Sequence, residues 1–255
     1  MKYNEDETNN DICWGRNSVF SLLEDYPERC SKVLLAKNIQ PHIREKVQGL
    51  LRSANVVLQY VDNQVLDRVT NKENHQGIVA YSVPMELMDI EDVVSSLPSV
   101  PDAAMIILCD HIQDPHNLGA IIRTAEVAGA SAVVIPKRGG CLPTGTVVKT
   151  SAGAALRVPL AKIGNIAQAI EYLQKSGFWI IGLAMEADET LFKGDIPKRA
   201  VFVIGSEGEG IGKLVAKSCD ELRSIPMSGK TGSLNASVAA GLAMFEWSRI
   251  NKFAI

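Results

Sequence analysis

The feature that most constrains the fold is a regular alternation of strand and helix patterns between residues 104 and 250. Short stretches rich in Val, Ile and Leu recur between segments with helical periodicity. We predict strands over residues 104–109, 132–135, 156–160, 179–183, 200–204 and 222–225, and helices over residues 118–128, 166–175, 212–218 and 238–250. Since parallel strands need such crossovers, the alternation predicts an α/β fold with a mostly parallel sheet covered on both faces.

A smaller alternation precedes it. We predict strands over residues 32–36, 56–61 and 77–83, and helices over residues 17–23, 41–52 and 63–69. Residues 85–102 carry five acidic side chains, no basic one and two prolines, which is typical of a boundary. The predicted organisation is a disordered lead over residues 1–11, a small α/β domain over residues 12–84, an acidic linker over residues 85–102 and a larger domain over residues 103–255.

The charge balance limits how the chain could contact nucleic acid. Its 255 residues carry a formal net charge of -3, which argues against a surface that is basic everywhere. Local patches remain, and residues 137–170 hold five basic side chains and no acidic one. This patch begins in a glycine-rich stretch over residues 136–145, which we predict to be a mobile loop. An ordinary solvated surface and a flexible arm that faces RNA both fit this pattern.

Cysteine and histidine usage bears on the compartment and on metals. The five cysteines are scattered and form no CxxC pair, which suits a reducing compartment and neither a disulfide framework nor a zinc site. The four histidines have no metal-ligand spacing. No apolar run approaches the roughly 20 residues that span a bilayer. We therefore expect a cytoplasmic protein with no membrane segment and no metal.

Three polar stretches follow predicted strands, at residues 114–125, 205–210 and 224–237. Open α/β sheets bind ligands at the carboxyl ends of their strands, so one shared site is plausible. In the last stretch, Ser233, Asn235 and Ser237 either cap the following helix or contact a ligand. The glycine spacing matches neither a dinucleotide fingerprint nor a P-loop, which disfavours a nucleotide-phosphate enzyme.

Arg123 has two interpretations. In a helix over residues 118–128 it points away from the apolar stripe. It is then either a solvated arginine that pairs with Glu126 three residues on, or an anion clamp beside Asn117, itself a helix cap or a substrate contact.

Taken together, these stretches resemble the three signature motifs of the SpoU/TrmH family of RNA ribose 2'-O-methyltransferases. The first joins Asn117 to Arg123, the second is Ile204-Gly205-Ser206-Glu207-Gly208, and the third runs from Ile225-Pro226-Met227 to Ser233-Leu234-Asn235. Near the N-terminus, Gly15-Arg16-Asn17-Ser18-Val19 and His75-Gln76-Gly77-Ile78-Val79-Ala80 resemble the small RNA-binding domain that precedes the catalytic domain in one branch. The resemblance covers nearly the whole chain.

The resemblance implies a fold, a cofactor and an RNA substrate. It implies a SPOUT catalytic domain with a trefoil knot and a parallel sheet, preceded by a small α/β RNA-binding domain, and S-adenosylmethionine (SAM) as cofactor. Its expected cofactor contacts are Leu183, Ile204, Gly205, Gly210, Ile225, Met227 and Leu234. Its expected catalytic residues are Asn117, Arg123, Glu207, Ser233 and Asn235, and we expect RNA contacts at Arg16, Lys137, Arg138 and Lys149. The favoured substrate is a guanosine in 23S rRNA, and the alternatives are a tRNA ribose methyltransferase and a catalytically idle RNA-binding protein.

The family also implies a homodimer with each active site at the subunit boundary. The apolar segment over residues 238–247 would suit a dimer face, although ordinary core packing explains it equally well. For the chemistry, a guanidinium is too hard to deprotonate to act as a base. Our hypothesis is that Arg123 binds the neighbouring RNA phosphate and stabilises the developing alkoxide. Glu207 would orient an arginine, either Arg123 or one from a second subunit.

Overall fold

The computed structural model describes residues 11–52, 54–83, 85, 87–97, 102–229 and 232–251. The lead predicted over residues 1–11 therefore lies, apart from Asp11, outside the described residues. The chain divides into two compact units. Unit 1 comprises residues 1–86 together with residues 143–156, and unit 2 comprises residues 87–142 and 157–255. By packing, residues 143–156 thus group with the N-terminal part, whereas the sequence analysis placed them in the larger domain.

Unit 1 is built on a four-stranded sheet. Its strands are β1 (Asp11–Trp14), β2 (Cys30–Ala36), β3 (Val57–Val61) and β4 (Ile78–Ser82), in the order β1-β4-β2-β3. Its helices are α1 (Arg16–Asp25), α2 (Pro41–Leu51), α3 (Asn63–Val69) and α6 (Gly145–Thr150). β2 pairs with β3 in parallel and with β4 antiparallel. Most of the predicted elements of this unit are confirmed within one or two residues.

Helix α6 packs inside unit 1 on β1 and α1. Ser18 Oγ donates to the carbonyl of Val148 at 3.4 Å. A side chain on Gly145 would place its Cβ 1.8 Å from the carbonyl oxygen of Ile12, so only glycine allows this backbone approach. The basic region that the sequence analysis singled out is therefore divided, because its middle part belongs to unit 1.

Unit 2 contains an eight-stranded sheet in the order β10-β12-β9-β11-β6-β7-β8-β5, and each neighbouring pair is parallel. The strands are β5 (Met88–Asp89), β6 (Ala104–Cys109), β7 (Ala132–Pro136), β8 (Leu160–Ile163), β9 (Trp179–Leu183), β10 (Glu189–Thr190), β11 (Arg199–Ile204) and β12 (Glu221–Ser224). The helices are α4 (Ile90–Ser96), α5 (Pro115–Ala128), α7 (Ile166–Lys175), α8 (Lys213–Ser218) and α9 (Ala236–Asn251). Every residue of β6 and β11 is buried, as expected for central parallel strands. The predicted α/β fold with a parallel sheet is confirmed.

Two sequence predictions differ from the structure of unit 2. The strand predicted over residues 156–160 begins at Leu160 instead, and a 3₁₀ turn occupies Ala154–Leu156. Pro159 has no N–H group, so it contributes only its carbonyl, which accepts from Val133 N at 3.0 Å. Residues 85–102, predicted as a linker, contain β5 and α4, and Ile90 and Val93 of α4 are buried in the core of this unit.

Helix α5 is fixed at both ends by local signals. Asp114 caps its N-terminus, since its Oδ1 accepts from the backbone N of His116 at 2.8 Å. Pro115 occupies the first turn, and Gly129 ends the helix in the left-handed conformation with φ of 71°. Helix α5 packs against α9, which follows the last strand. Within the described part of the chain, none of the helices combines the length and apolarity that crossing a membrane requires.

Candidate active site

The candidate site lies at the carboxyl edge of the sheet in unit 2. Strands β12, β9, β11 and β6 are consecutive neighbours there, and they are parallel. The three polar stretches that the sequence singled out follow β6, β11 and β12. Because the carboxyl ends of parallel strands share one edge, the topology brings these stretches to the same place.

A cluster of three side chains, one from each stretch, confirms that they meet. Asn117 Nδ2 donates to Glu207 Oε1 at 2.9 Å, and Asn235 Nδ2 donates to Asn117 Oδ1 at 2.9 Å. Asn235 Nδ2 also donates to Glu207 Oε1. We call Asn117, Glu207 and Asn235 the polar triad. Its members are separated by up to 118 residues in sequence. Glu207 and Asn235 are exposed and Asn117 is half-buried, so a substrate can reach the cluster from solvent.

Asn235 caps helix α9, one of the two roles predicted for it, and its contact with a ligand stays a prediction. Its side-chain oxygen accepts from the backbone N of Ser237 at 2.9 Å and of Val238 at 3.3 Å, which caps helix α9. Its side-chain nitrogen belongs to the polar triad. The cap therefore fixes the orientation of the amide that takes part in the site.

A cleft of about 460 Å³ opens at the same edge. Its volume is within the usual range of small-molecule sites. All seven predicted cofactor residues line it, namely Leu183, Ile204, Gly205, Gly210, Ile225, Met227 and Leu234, and so does the predicted catalytic residue Ser233. Ala184 to Ala187, directly after Leu183, also line the cleft, and none of them was predicted as a site residue. The rule that ligands collect at the carboxyl ends of strands, applied to β9, would have found it.

The turn that begins at Gly205 forms one wall of the cleft. Ser206 and Gly210 exchange backbone hydrogen bonds of 3.1 and 3.0 Å, and Gly208 and Gly210 have φ of 89° and 67°. A Cβ on Gly205 would lie 2.0 Å from the carbonyl carbon of Gly210. We call residues 205–211 the cofactor turn. Gly205 allows the backbone to approach Gly210 this closely, and Gly208 and Gly210 adopt positive φ angles that other residues rarely adopt.

Arg123 projects from α5 as an exposed side chain. The predicted alternative, a pair with Glu126, is not found: Arg157 takes that carboxylate with its Nε and, at 3.0 Å, with Nη2. For Arg123, the described residues provide no hydrogen bond or ion pair. It follows Asn117 by six residues, about 9 Å along a helix, and does not line the cleft. The structure therefore brings together Asn117, Glu207 and Asn235, and leaves Arg123 without a contact to them.

The four predicted RNA contacts divide between the units. Lys137 and Arg138 are exposed in the loop after β7 in unit 2. Arg16 and Lys149 belong to unit 1, where Lys149 Nζ lies 3.5 Å from Glu73 Oε2. The backbone N of Arg16 donates to Gln76 Oε1 at 2.8 Å, so the two N-terminal motifs of the sequence contact each other.

Two cysteines near this edge of the sheet are poorly suited to act as nucleophiles. Burial and, next, the adjacent Asp110 carboxylate raise the pKa of Cys109 to about 12. Burial, with Asp220 and then Asp110, raises the pKa of Cys219 to about 12. Both thiols therefore remain protonated at neutral pH and are poor nucleophiles. Over the residues with a described placement, no group of three or more His, Cys, Asp or Glu side chains could hold a metal ion.

Two family models match successive parts of the chain. The sequence model of the SpoU rRNA Methylase family matches residues 104–245, and that of the RNA 2'-O ribose methyltransferase substrate binding domain matches residues 12–87.

Similar proteins come from several bacteria. The 23S rRNA (guanosine-2'-O-)-methyltransferase RlmB of Salmonella typhimurium is 39% identical over 236 residues, which cover 92% of this chain and 97% of that protein. A tRNA/rRNA methyltransferase of Synechocystis is 39% identical over 95% of this chain, which spans 63% of that longer relative. Among solved structures, the SpoU methyltransferase AviRb from Streptomyces viridochromogenes in complex with AdoMet has a TM-score of 0.76 and 20% identity, covering 98% of this chain and 93% of its own.

Proposed function

The chain belongs to the SpoU rRNA methylase family, and on that premise we propose that it transfers the methyl group of SAM to a ribose 2'-hydroxyl of a guanosine in 23S rRNA. The observation that carries the proposal is the polar triad, which joins three distant stretches beside a cleft of cofactor size. The guanosine and the 23S rRNA follow from relatives that this chain matches over nearly their full length.

The cleft suits SAM in size and chemistry. The apolar side chains of Ile204, Ile225 and Leu234 line it and would flank the adenine. Backbone amide and carbonyl groups of the cofactor turn would bind the polar edge of the adenine. When bound, SAM supplies a sulfonium methyl group as the electrophile. The residues of this chain have to hold it, exclude water and present the sugar oxygen.

The polar triad leaves one acceptor for the substrate. Both amide nitrogens, from Asn117 and Asn235, donate to the same oxygen of Glu207, its Oε1. Within the described chain, Glu207 Oε2 has no partner. We propose that Oε2 accepts a hydrogen bond from a ribose hydroxyl or from the guanidinium of an arginine. The two asparagines hold the carboxylate in the orientation that this contact needs.

Arg123 would stabilise charge. A guanidinium in a protein remains protonated, so it cannot remove the hydroxyl proton. We propose that Arg123 binds the neighbouring RNA phosphate and stabilises the developing alkoxide, and that the proton leaves to that phosphate or to water. The absence of a protein partner for Arg123 among the described residues supports this role, since its donors are available for RNA.

An exposed apolar stripe supports a homodimer. On α9, Val238, Leu242 and Phe245 are 49%, 36% and 45% exposed, and their spacing of four and three residues places them on one helix face. Val127 of α5, which packs against α9, is 66% exposed. The opposite face of α9 carries the core residues, Trp247 among them. Core packing thus accounts for one face only, and we propose that a second copy covers the other.

The dimer would also complete the active site. Arg123 lies four residues before Val127 on the same face of α5, so it borders the stripe. A second copy seated there would place Arg123 at the subunit boundary.

We expect Phe245→Asp to produce a monomer, because a carboxylate in an apolar interface is costly to desolvate. Analytical ultracentrifugation measures the mass, and methyl transfer should fall with dimer content. The control is Val57→Asp, which changes an apolar residue that is 62% exposed on the edge strand β3 of unit 1. A wild-type protein that sediments as a monomer at micromolar concentration would refute the proposed dimer.

The remaining expectations from the family are proposals as well. We propose that the catalytic unit contains a trefoil knot formed by the cofactor turn and the turn over residues 227–233; residues 230 and 231 lie outside the described chain. The close approach of Gly205 to Gly210 supports a chain that folds tightly on itself there. A cytoplasmic location suits the free cysteines and an rRNA substrate.

Methylation of defined RNAs tests the function. Purified protein is incubated with SAM and either unmethylated 23S rRNA or tRNA, and 2'-O-methyl groups are mapped by mass spectrometry. We expect one modified guanosine in 23S rRNA. Modification of tRNA alone would indicate a tRNA ribose methyltransferase. RNA binding without SAM binding in calorimetry would indicate a catalytically idle RNA-binding protein.

A further inference from the structure

Asp110, directly after β6, joins the two ends of the cofactor turn. Its backbone N donates to the carbonyl of Ile204 at 2.8 Å, and its Oδ2 accepts from the backbone N of Gly212 at 2.7 Å. Ile204 precedes the turn and Gly212 follows it. The Asp110 side chain is fully buried and does not line the cleft, so it acts on the cleft through the residues that it holds.

The other oxygen of the carboxylate holds His111. His111 Nδ1 is hydrogen-bonded to Asp110 Oδ1, and the ring is 57% exposed. The backbone of His111 has φ of 59°, a left-handed conformation that is unfavourable for a residue with a side chain. Such strain persists only where the surrounding contacts impose it. The bond to Asp110 is one of those contacts.

His111 in turn touches the basic loop, residues 137–142. A Cβ on Gly139 would lie 2.7 Å from His111 Cδ2 and 3.0 Å from Nε2, so the ring packs directly on the backbone of this loop. The next residue, Ile112, accepts from the backbone N of Cys141 at 2.7 Å. Gly139 follows Lys137 and Arg138, the exposed cations of the loop.

We propose that Asp110 and His111 are positioning residues that join the cofactor turn to the basic loop, so that SAM and RNA strengthen each other's binding. The inference rests on the proposed function, because it takes SAM as the ligand of the turn and RNA as the ligand of the loop. A buried carboxylate needs hydrogen-bond partners. Oδ2 of Asp110 binds Gly212 at the end of the cofactor turn, and Oδ1 binds His111, which packs on the basic loop. SAM that orders the cofactor turn would favour the arrangement of Asp110 and His111 that RNA binding at the basic loop needs. RNA would favour SAM binding by the same amount, because such coupling is reciprocal.

His111→Gly is the most informative variant. Glycine accepts φ of 59° without strain, so the fold should keep or gain thermal stability while the contact to Gly139 is lost. Calorimetry measures the Kd of SAM with and without a saturating unmethylated 23S rRNA transcript. In the wild type we expect RNA to lower this Kd by roughly 5-fold or more, within the usual range of coupling. In His111→Gly the Kd without RNA should stay within about twofold of the wild type, and the effect of RNA should disappear.

Two Asp110 variants test the link between Asp110 and the cofactor turn. Asp110→Ala removes both side-chain bonds and should weaken SAM binding on the order of 10-fold without RNA, since a buried donor is left unpaired. Asp110→Asn keeps an acceptor for Gly212 N and should recover most of this loss. The matched control is Ser248→Ala, which removes a buried hydrogen bond between α9 and Ala128 and should leave SAM binding unchanged.

The outcomes separate this inference from the proposed function. Absence of SAM binding by the wild type would overturn the proposed function. If the wild type binds SAM with a Kd that RNA does not change, or if His111→Gly keeps the full effect of RNA, the coupling is overturned and the function stands. Should Asp110→Ala fail to fold, the His111→Gly result decides alone.

Discussion

Arg123→Ala is expected to lower kcat by about 10²–10³-fold, the usual effect of removing one donor that stabilises transition-state charge. Arg123 is exposed, and Glu126, its nearest candidate partner in sequence, is bound by Arg157. Its donors are therefore available to the proposed substrate. Because Arg123 does not line the cleft, the Kd of SAM should stay unchanged. Methyl incorporation into 23S rRNA at saturating SAM, together with calorimetry, measures both quantities.

The lysine variant separates charge stabilisation from base catalysis. Arg123→Lys keeps the positive charge but loses the two-pronged geometry that suits a phosphate, so we expect it to recover only a small part of the activity. Activity of this variant that climbs steadily with pH would contradict us, since it would point to a deprotonated amine that acts as a base. Lys175→Ala is the control, because Lys175 is an exposed cation on α7 that pairs with Glu171 of its own helix.

Gly205→Ala is expected to weaken SAM binding by about 100-fold, equivalent to about 2.7 kcal/mol. The added Cβ would lie 2.0 Å from the carbonyl carbon of Gly210 and 2.2 Å from the backbone N of Ile211. These are backbone atoms, so no side chain can move aside, and the cofactor turn has to open. Overpacking of this kind costs typically 1–3 kcal/mol, and sometimes more. Calorimetry with SAM and thermal melting followed by circular dichroism measure the two effects.

A second glycine provides the comparison. Gly164 follows β8, and a Cβ there would meet nothing within 4 Å. Gly164→Ala should therefore bind SAM like the wild type and melt at nearly the same temperature. If Gly205→Ala bound SAM as tightly as Gly164→Ala, the assignment of this turn to the cofactor would be wrong.

Local signals made much of unit 2 predictable. Helix α7 begins and ends where predicted, because Asn165 caps its first turn and Gly177, with φ of 83°, follows its last. The strand-helix alternation gave the parallel sheet, and the carboxyl-edge rule placed the polar triad and the cleft together. The two-residue strand β10 escaped prediction because so short a segment has no detectable period.

Other features depend on contacts between distant residues. The pattern of α5 allowed Arg123 to pair with Glu126, and only the folded chain places Arg157 beside that carboxylate, 31 residues away. The hydrogen bond from Gly212 N to the Asp110 carboxylate joins residues that are 102 positions apart in sequence. In the same way, nothing within residues 143–156 indicates that they pack on β1 and α1. Packing between distant segments is decided by the whole fold, so a local pattern cannot reveal it.

The placement of α6 has a consequence for synthesis on the ribosome. Domains generally fold as soon as they emerge, at about 5–20 residues per second. Ser18, however, is bonded to Val148, 130 residues later, and Gly145 packs against Trp14. The N-terminal unit must therefore wait on the order of ten seconds for its last helix. During that interval the surface of β1 and α1 that α6 later covers is open to solvent, so the nascent chain carries an unfinished core long before any cofactor can bind.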